Sequence, residues 1–186
     1  KLKKDWNKNN PAAFNVLREA ISNLGILVMQ NGVVGNNNHR VLNVAEFRAF
    51  VLIDEYVPLI FLNARDSANA KVFSLCHELV HIWLGVDELY NDNFTTNQIF
   101  NNGQLESFCN EVAAEMLLPL SSIQSALDPQ NDIYTNIKHI SKVFNVSELV
   151  VCIRLKTKKF INAKVFNEVY ANLLTEMRDN LLGKQL

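Results

Sequence analysis

The five residues His77-Glu78-Leu79-Val80-His81 decide how this chain is read. On a helix, positions four apart share a face, so both imidazoles reach one metal ion. Glu78 stands ~100° round from His77, near enough to act on a water at that ion without ligating it. A catalytic zinc site uses three protein ligands and keeps a fourth position for water, so a third ligand is expected elsewhere. The next helical stretch offers Glu106, Glu111 and Glu115. With Glu106 as reference, Asn110, Ala113 and Leu117 fall within ~40°, while Glu111 and Glu115 lie ~140–180° away. Ala113 permits close approach of another helix, and the opposite face reads as solvated. Glu106 is the better ligand and Glu111 its rival. Asn110, one turn beyond Glu106, is a candidate to support the ligands by hydrogen bonding.

Working outward, the helix that carries the pentapeptide is expected over about 66–84. Val72, Leu75, Cys76, Leu79 and Trp83 form its buried side, and Gly85 stops it. Upstream, Asn10 caps a first helix, Pro11 opens it, and Gly25 ends it. Phe14, Leu17, Ile21 and Leu24 are its apolar stripe. Residues 26–30 read as a strand. Residues 31–39 read as a loop, and 47–53 and 57–62 as a hairpin turning at Asp54-Glu55. Pro58 favours an edge or an end position in the second of these strands. Downstream, residues 86–103 hold five asparagines and no period, which predicts a long loop beside the histidines. Helices then follow over about 105–118, 121–127, 133–144, 147–156 and 163–182. In the last, Val165, Phe166, Val169, Tyr170, Leu173 and Met177 face the core. Strands come early and helices late, so the class is α+β. The expected order is an N-terminal helix, a small mostly antiparallel sheet, the active-site helix, and an all-helical C-terminal part. The expected domains are 1–130 and, packed on it, 131–186.

The 186 residues are 48% hydrophobic and 20% charged, with a formal net charge of −1. One substantial core fits that length. The near-neutral balance gives no drive toward nucleic acid or an anionic membrane, and neither partner is expected of this segment. Cys76, Cys109 and Cys152 are odd in number and lie among apolar neighbours, so reduced, buried thiols are expected. No apolar run approaches the ~18 residues of a membrane span, and no signal peptide opens the chain. A cytoplasmic location is expected. The chain opens at Lys1 rather than a methionine, as a fragment of a longer protein would.

The chain resembles the ImmA/IrrE-type metallopeptidases over roughly 45–157. The likeness rests on Phe47-Arg48-Ala49-Phe50, on Pro58-Leu59-Ile60-Phe61-Leu62-Asn63, on Phe73-Ser74-Leu75-Cys76-His77-Glu78-Leu79-Val80-His81, and on the run from Glu106 to Pro119. In that last run Cys109 replaces the usual alanine and Val112 the usual phenylalanine. The resemblance implies a zincin-like fold with His77, His81 and Glu106 as zinc ligands and Glu78 catalytic. It implies cleavage of a protein substrate, a helix-turn-helix repressor, in transcription regulation linked to mobile elements or stress responses. Many members carry an extra N-terminal DNA-binding domain, and none is visible here.

Such zinc brings the pKa of water from 15.7 to roughly 7, and Glu78 would accept its proton and return it to the leaving amine. Manganese or iron would also suit these donors. Tyr90 and His139 are weak candidates for oxyanion stabilisation, and His39 reads as a surface histidine. Substrate could add as a strand along the hairpin's edge. Two rival readings follow. Residues 138–159 have a helix-turn-helix look, with Ser147 as cap and Lys138, Lys142, Arg154, Lys156, Lys158 and Lys159 around it, which would make a DNA-binding regulator with a non-catalytic metal site. Against it, Leu149, Val150, Val151, Cys152 and Ile153 fill the recognition position, where base reading needs polar groups. Alternatively, Cys76 or Cys109 would close the metal site as a fourth ligand and make it structural.

Overall fold

The computed structural model describes residues 12–86, 102–144 and 146–182. The chain divides into two compact units, Lys1–Met116 and Leu117–Leu186, where the sequence expectation places a boundary at 130. Asn10 and Pro11, the expected start of the first helix, lie outside the described residues.

The first unit is α+β. Helix α1 (Ala12–Ser22) leads through Gly25, at φ +86°, into β1 (Leu27–Asn31). Strands β2 (Val33–Val34) and β3 (Asn37–Val41) form a small antiparallel hairpin. The sequence reading makes residues 31–39 a loop, and the structure corrects it. Gly35 and Asn36 both take positive φ (55° and 58°), the backbone of a tight hairpin turn. The strands they join are exposed and carry Asn37, His39 and Arg40, so no apolar alternation marks them. Strands β4 (Ala49–Leu52) and β5 (Leu59–Asn63) follow. The main sheet has the order β1-β5-β4, with β4 antiparallel to β5 and β1 parallel to it. The sheet is therefore mixed. Pro58 precedes the central strand, where no ladder donor is required of it. Between β4 and β5 the Asp54 carboxylate accepts from the N–H groups of Tyr56 (2.8 Å) and Val57 (2.9 Å). The bonds from Val57 and Tyr56 hold its pKa below the ordinary value.

Strand β5 alternates as a sheet requires. Ile60 and Leu62 are fully buried on one side, while Phe61 on the other stacks on its cross-strand partner Phe50 at 5.1 Å. Helix α2 (Ala68–Leu84) packs on β4 and β5, and α1 packs on β1 and α2. The shared core holds Phe14, Ile21, Ile26, Val51, Ile60, Leu62, Leu75 and Leu79. Leu24 and Trp83, expected in apolar faces, are instead 65% and 59% exposed. Leu24 lies beyond the last turn of α1. Trp83 falls outside the α2 face set by Leu75, Leu79 and Ile82. Asn63 closes β5 as a buried amide. Its side chain donates to the Phe47 carbonyl (3.2 Å) and accepts from the Arg65 N–H (3.1 Å).

Helix α3 (Asn102–Leu117) completes this unit and runs up to the boundary. The second unit is helical: α4 (Leu120–Ala126), α5 (Ile133–Phe144), α6 (Glu148–Thr157) and α7 (Ala163–Leu182). Its interior includes Leu118, Ile123, Ile137, Ile140, Val151, Cys152 and Leu155. Asn136, in the first turn of α5, is buried, and its amide reaches back to donate to the Asp128 carbonyl (2.9 Å) and accept from the Asp128 N–H (2.9 Å). Ser147 caps α6 as expected, its hydroxyl accepting from the Val150 N–H (3.2 Å). Arg154, on this helix, is only 3% exposed and donates to the Leu118 carbonyl (3.3 Å). All three cysteines are free and buried. Burial pushes the Cys76 thiol up to about 12 and raises that of Cys152. No described helix is long and apolar enough to cross a membrane.

Replacing Asn63 with alanine strands the Phe47 carbonyl and the Arg65 N–H. We expect a loss of about 1–3 kcal/mol, seen as a lower urea midpoint at unchanged m-value. The three thiols should stay unreactive toward an aromatic disulfide reagent in the native protein and react together on unfolding.

Candidate metal centre and active site

Local chemistry fixes the pentapeptide. Ser67 caps α2 by accepting from the Ala70 N–H (3.2 Å), and Gly85 ends it at φ +67°, a left-handed conformation that glycine adopts without strain. The backbone N–H groups of Gly85 and Val86 return to the carbonyls of Ile82 and His81, each at 3.1 Å. Between these ends the helix period places Leu75 and Leu79 in the core and turns His77 and His81 toward α3. Helix α3 meets α2 along a second apolar seam of Val80, Leu105 and Cys109, flanked by Leu84, Val86 and Val112. Leu105 and Cys109 flank Glu106 in sequence, so burying them presents the Glu106 carboxylate to the two histidines.

The three side chains meet. His77 Nε2 and His81 Nε2 are 3.0 Å apart. Glu106 Oε2 is 3.2 Å from His77 Nε2, and Oε1 is 3.2 Å from His81 Nε2. A ligand atom from each lies within 4.8 Å of the others, and the group can hold a metal ion. The donor set fits one well. Tetrahedral bonds of ~2.0–2.1 Å separate ligand atoms by about 3.3 Å, close to the spacings found here. Two imidazoles and a carboxylate are also an ordinary catalytic ligand set. Among the described residues no cysteine joins the group.

Burial grades across the cluster. The His81 side chain is fully enclosed, that of His77 is 13% exposed and that of Glu106 36%. Glu78 is buried beside them. A cavity of about 350 Å³ opens against His77 and Glu78. Asn110 lines it too, on the same face of α3 as Glu106. Glu111 and Glu115 are exposed on the other face. The far wall is the segment from Val44 to Ala49, with Phe73 and Ser74 of α2 below it.

Sequence reasoning left out this far wall. Arg48 lies in it, paired with Asp66 at 3.2 Å, and Asn63 ties the neighbouring Phe47 carbonyl to β5. The signal available was an asparagine ending an otherwise apolar strand. Tyr90 lies outside the described residues. His139 is exposed on α5 in the second unit, and His39 is exposed on β3.

With this geometry in hand, comparison with known proteins is specific. A model of the IrrE N-terminal-like domain, the peptidase M78 family, matches residues 21–156. No curated protein matches. The match takes in both strands of the hairpin, the histidine pair, Glu106 and the helices through α6, so the chain belongs to the peptidase M78 family of metallopeptidases.

Proposed function

We propose that the chain is a zinc-dependent endopeptidase that cuts a protein substrate, a helix-turn-helix transcriptional repressor by analogy with the ImmA/IrrE relatives it resembles. The observation that carries this reading is the convergence of His77, His81 and Glu106 beside a cavity that His77 and Glu78 line. His77 and His81 would bind the ion through Nε2 and Glu106 through its carboxylate. When bound, zinc supplies a Lewis acid that brings water near neutral acidity and polarises a peptide carbonyl. Glu78, next to His77 in sequence and buried in the same wall, takes the proton of the attacking water on its carboxylate and delivers it to the leaving amine. Asn110 supports the site from the Glu106 side. The Phe47 and Phe73 side chains give the cavity an apolar lining that suits a side chain beside the cleaved bond and excludes bulk water.

A peptide substrate is supported by the sheet. Strand β4 pairs only with β5 among the described strands, so its other edge is available to an extended chain. That edge begins where the cavity wall ends, at Ala49. Free buried thiols suit a reducing compartment, the cytoplasm.

Incubating the zinc-loaded protein with a repressor encoded beside it should give discrete fragments by mass spectrometry, and chelation should abolish them. Glu78→Gln should retain zinc and lose about 10²–10⁴-fold in kcat. Equal cleavage by the variant would remove Glu78 from the role of base. Glu106→Ala should weaken zinc binding at least about tenfold while the fold persists by circular dichroism. Full zinc occupancy in that variant would place the third ligand elsewhere.

A further inference from the structure

In the second unit, α6 packs against both α5 and α7. Between those two helices runs an open groove of about 660 Å³. Ile133, Val165 and Val169 give it an apolar floor, and Asp132, Glu168 and Glu176 stand around it. From Val165 to Glu176 the groove follows α7 for about three turns, or ~16 Å. One end is closed by a clasp across the two helices. The Tyr134 hydroxyl donates to Glu176, and Lys138 Nζ lies 3.4 Å from Glu176 and 4.3 Å above the Tyr134 ring. This clasp sets the spacing of α5 and α7 without an occupant, so the groove is preformed.

The charge balance selects the guest. Lys138 answers Glu176. Asp132 is turned toward Thr135 at the start of α5, accepting from its N–H (2.9 Å) and its hydroxyl (2.8 Å), and its negative charge is not neutralised by those bonds. Glu168 is exposed and forms no ion pair among the described residues. An acidic rim repels nucleic acid and anionic lipid. An apolar floor gives nothing to a simple cation. A helix with an apolar stripe and flanking lysines or arginines satisfies both surfaces at once.

We infer that the α5–α7 groove docks a cationic amphipathic helix of a partner protein, about three turns long, with its apolar stripe on Ile133, Val165 and Val169 and its cations over Glu168 and Asp132. This inference stands apart from the peptidase reading, because docking involves neither the metal nor Glu78.

The test uses the full chain and a fluorescent helical peptide of about 12 residues, with leucines along one stripe and lysines elsewhere. Fluorescence anisotropy should show saturable binding that weakens as salt rises from about 50 to 500 mM. Glu168→Lys and Asn172→Lys, both on the exposed wall of α7, should each lower affinity about tenfold while circular dichroism stays unchanged. A peptide with glutamates in place of the lysines should not bind. Equal binding of the acidic or an uncharged peptide would overturn the inference, as would absence of binding by any peptide. Undiminished affinity in the Glu168→Lys, Asn172→Lys double variant would place the peptide elsewhere and overturn it as well.

Discussion

Three electron-rich atoms gathered within 4.8 Å, two of them largely out of water, repel one another unless something positive joins them. The seam between α2 and α3 sustains that arrangement. Val80, Leu105 and Cys109 bury apolar surface on the flank of the cluster, and Ala113 is small enough to let the helices approach. Ser67 and Gly85 fix where α2 begins and ends. With both ends pinned, the rotation of the helix about its axis is set by Leu75 and Leu79 in the core, and the imidazoles follow. The placing of the three donor groups is therefore fixed by hydrophobic burial beside them.

The sheet contributes in a different way. It is a platform that brings a second wall to within a side chain's reach of the histidines. Strand β5 is central and most deeply buried, and its last residue, Asn63, reaches across to the segment before β4. The Arg48–Asp66 pair ties the same segment toward the start of α2. Sheet, cavity wall and candidate metal site thus share one framework, and the polar bonds that assemble it are few.

How much of this the sequence made legible depends on the range of the interaction. The histidine pair and the preference for Glu106 over Glu111 follow from helix period alone, because residues four apart must share a face. Helices α5 to α7 are readable for the same reason. The parallel pairing of β1 with β5 is not, since its partner lies some thirty positions away and a five-residue strand carries no mark of direction. The hairpin at 33–41 escapes notice because solvent covers its residues and nothing apolar alternates, although Gly35-Asn36 is the kind of pair that such turns use. Trp83 shows the opposite failure. Its hydrophobicity suggested burial, but neighbouring Ile82 takes the core position. The Val44–Ala49 wall is invisible for a further reason, since its role exists only once β4 has docked beside α2.

The side of β4 left without a partner among the described strands bears on the kind of polypeptide the proposed cleft would admit. Backbone N–H and C=O groups along a sheet margin bond only to a chain whose own groups are not already satisfied. Helices and tightly folded strands fail that condition, whereas interdomain linkers and locally melted segments meet it. On the proposed peptidase reading, such a margin would favour a cut at one accessible stretch that leaves the surrounding domains whole. That cut would separate functions instead of degrading a protein.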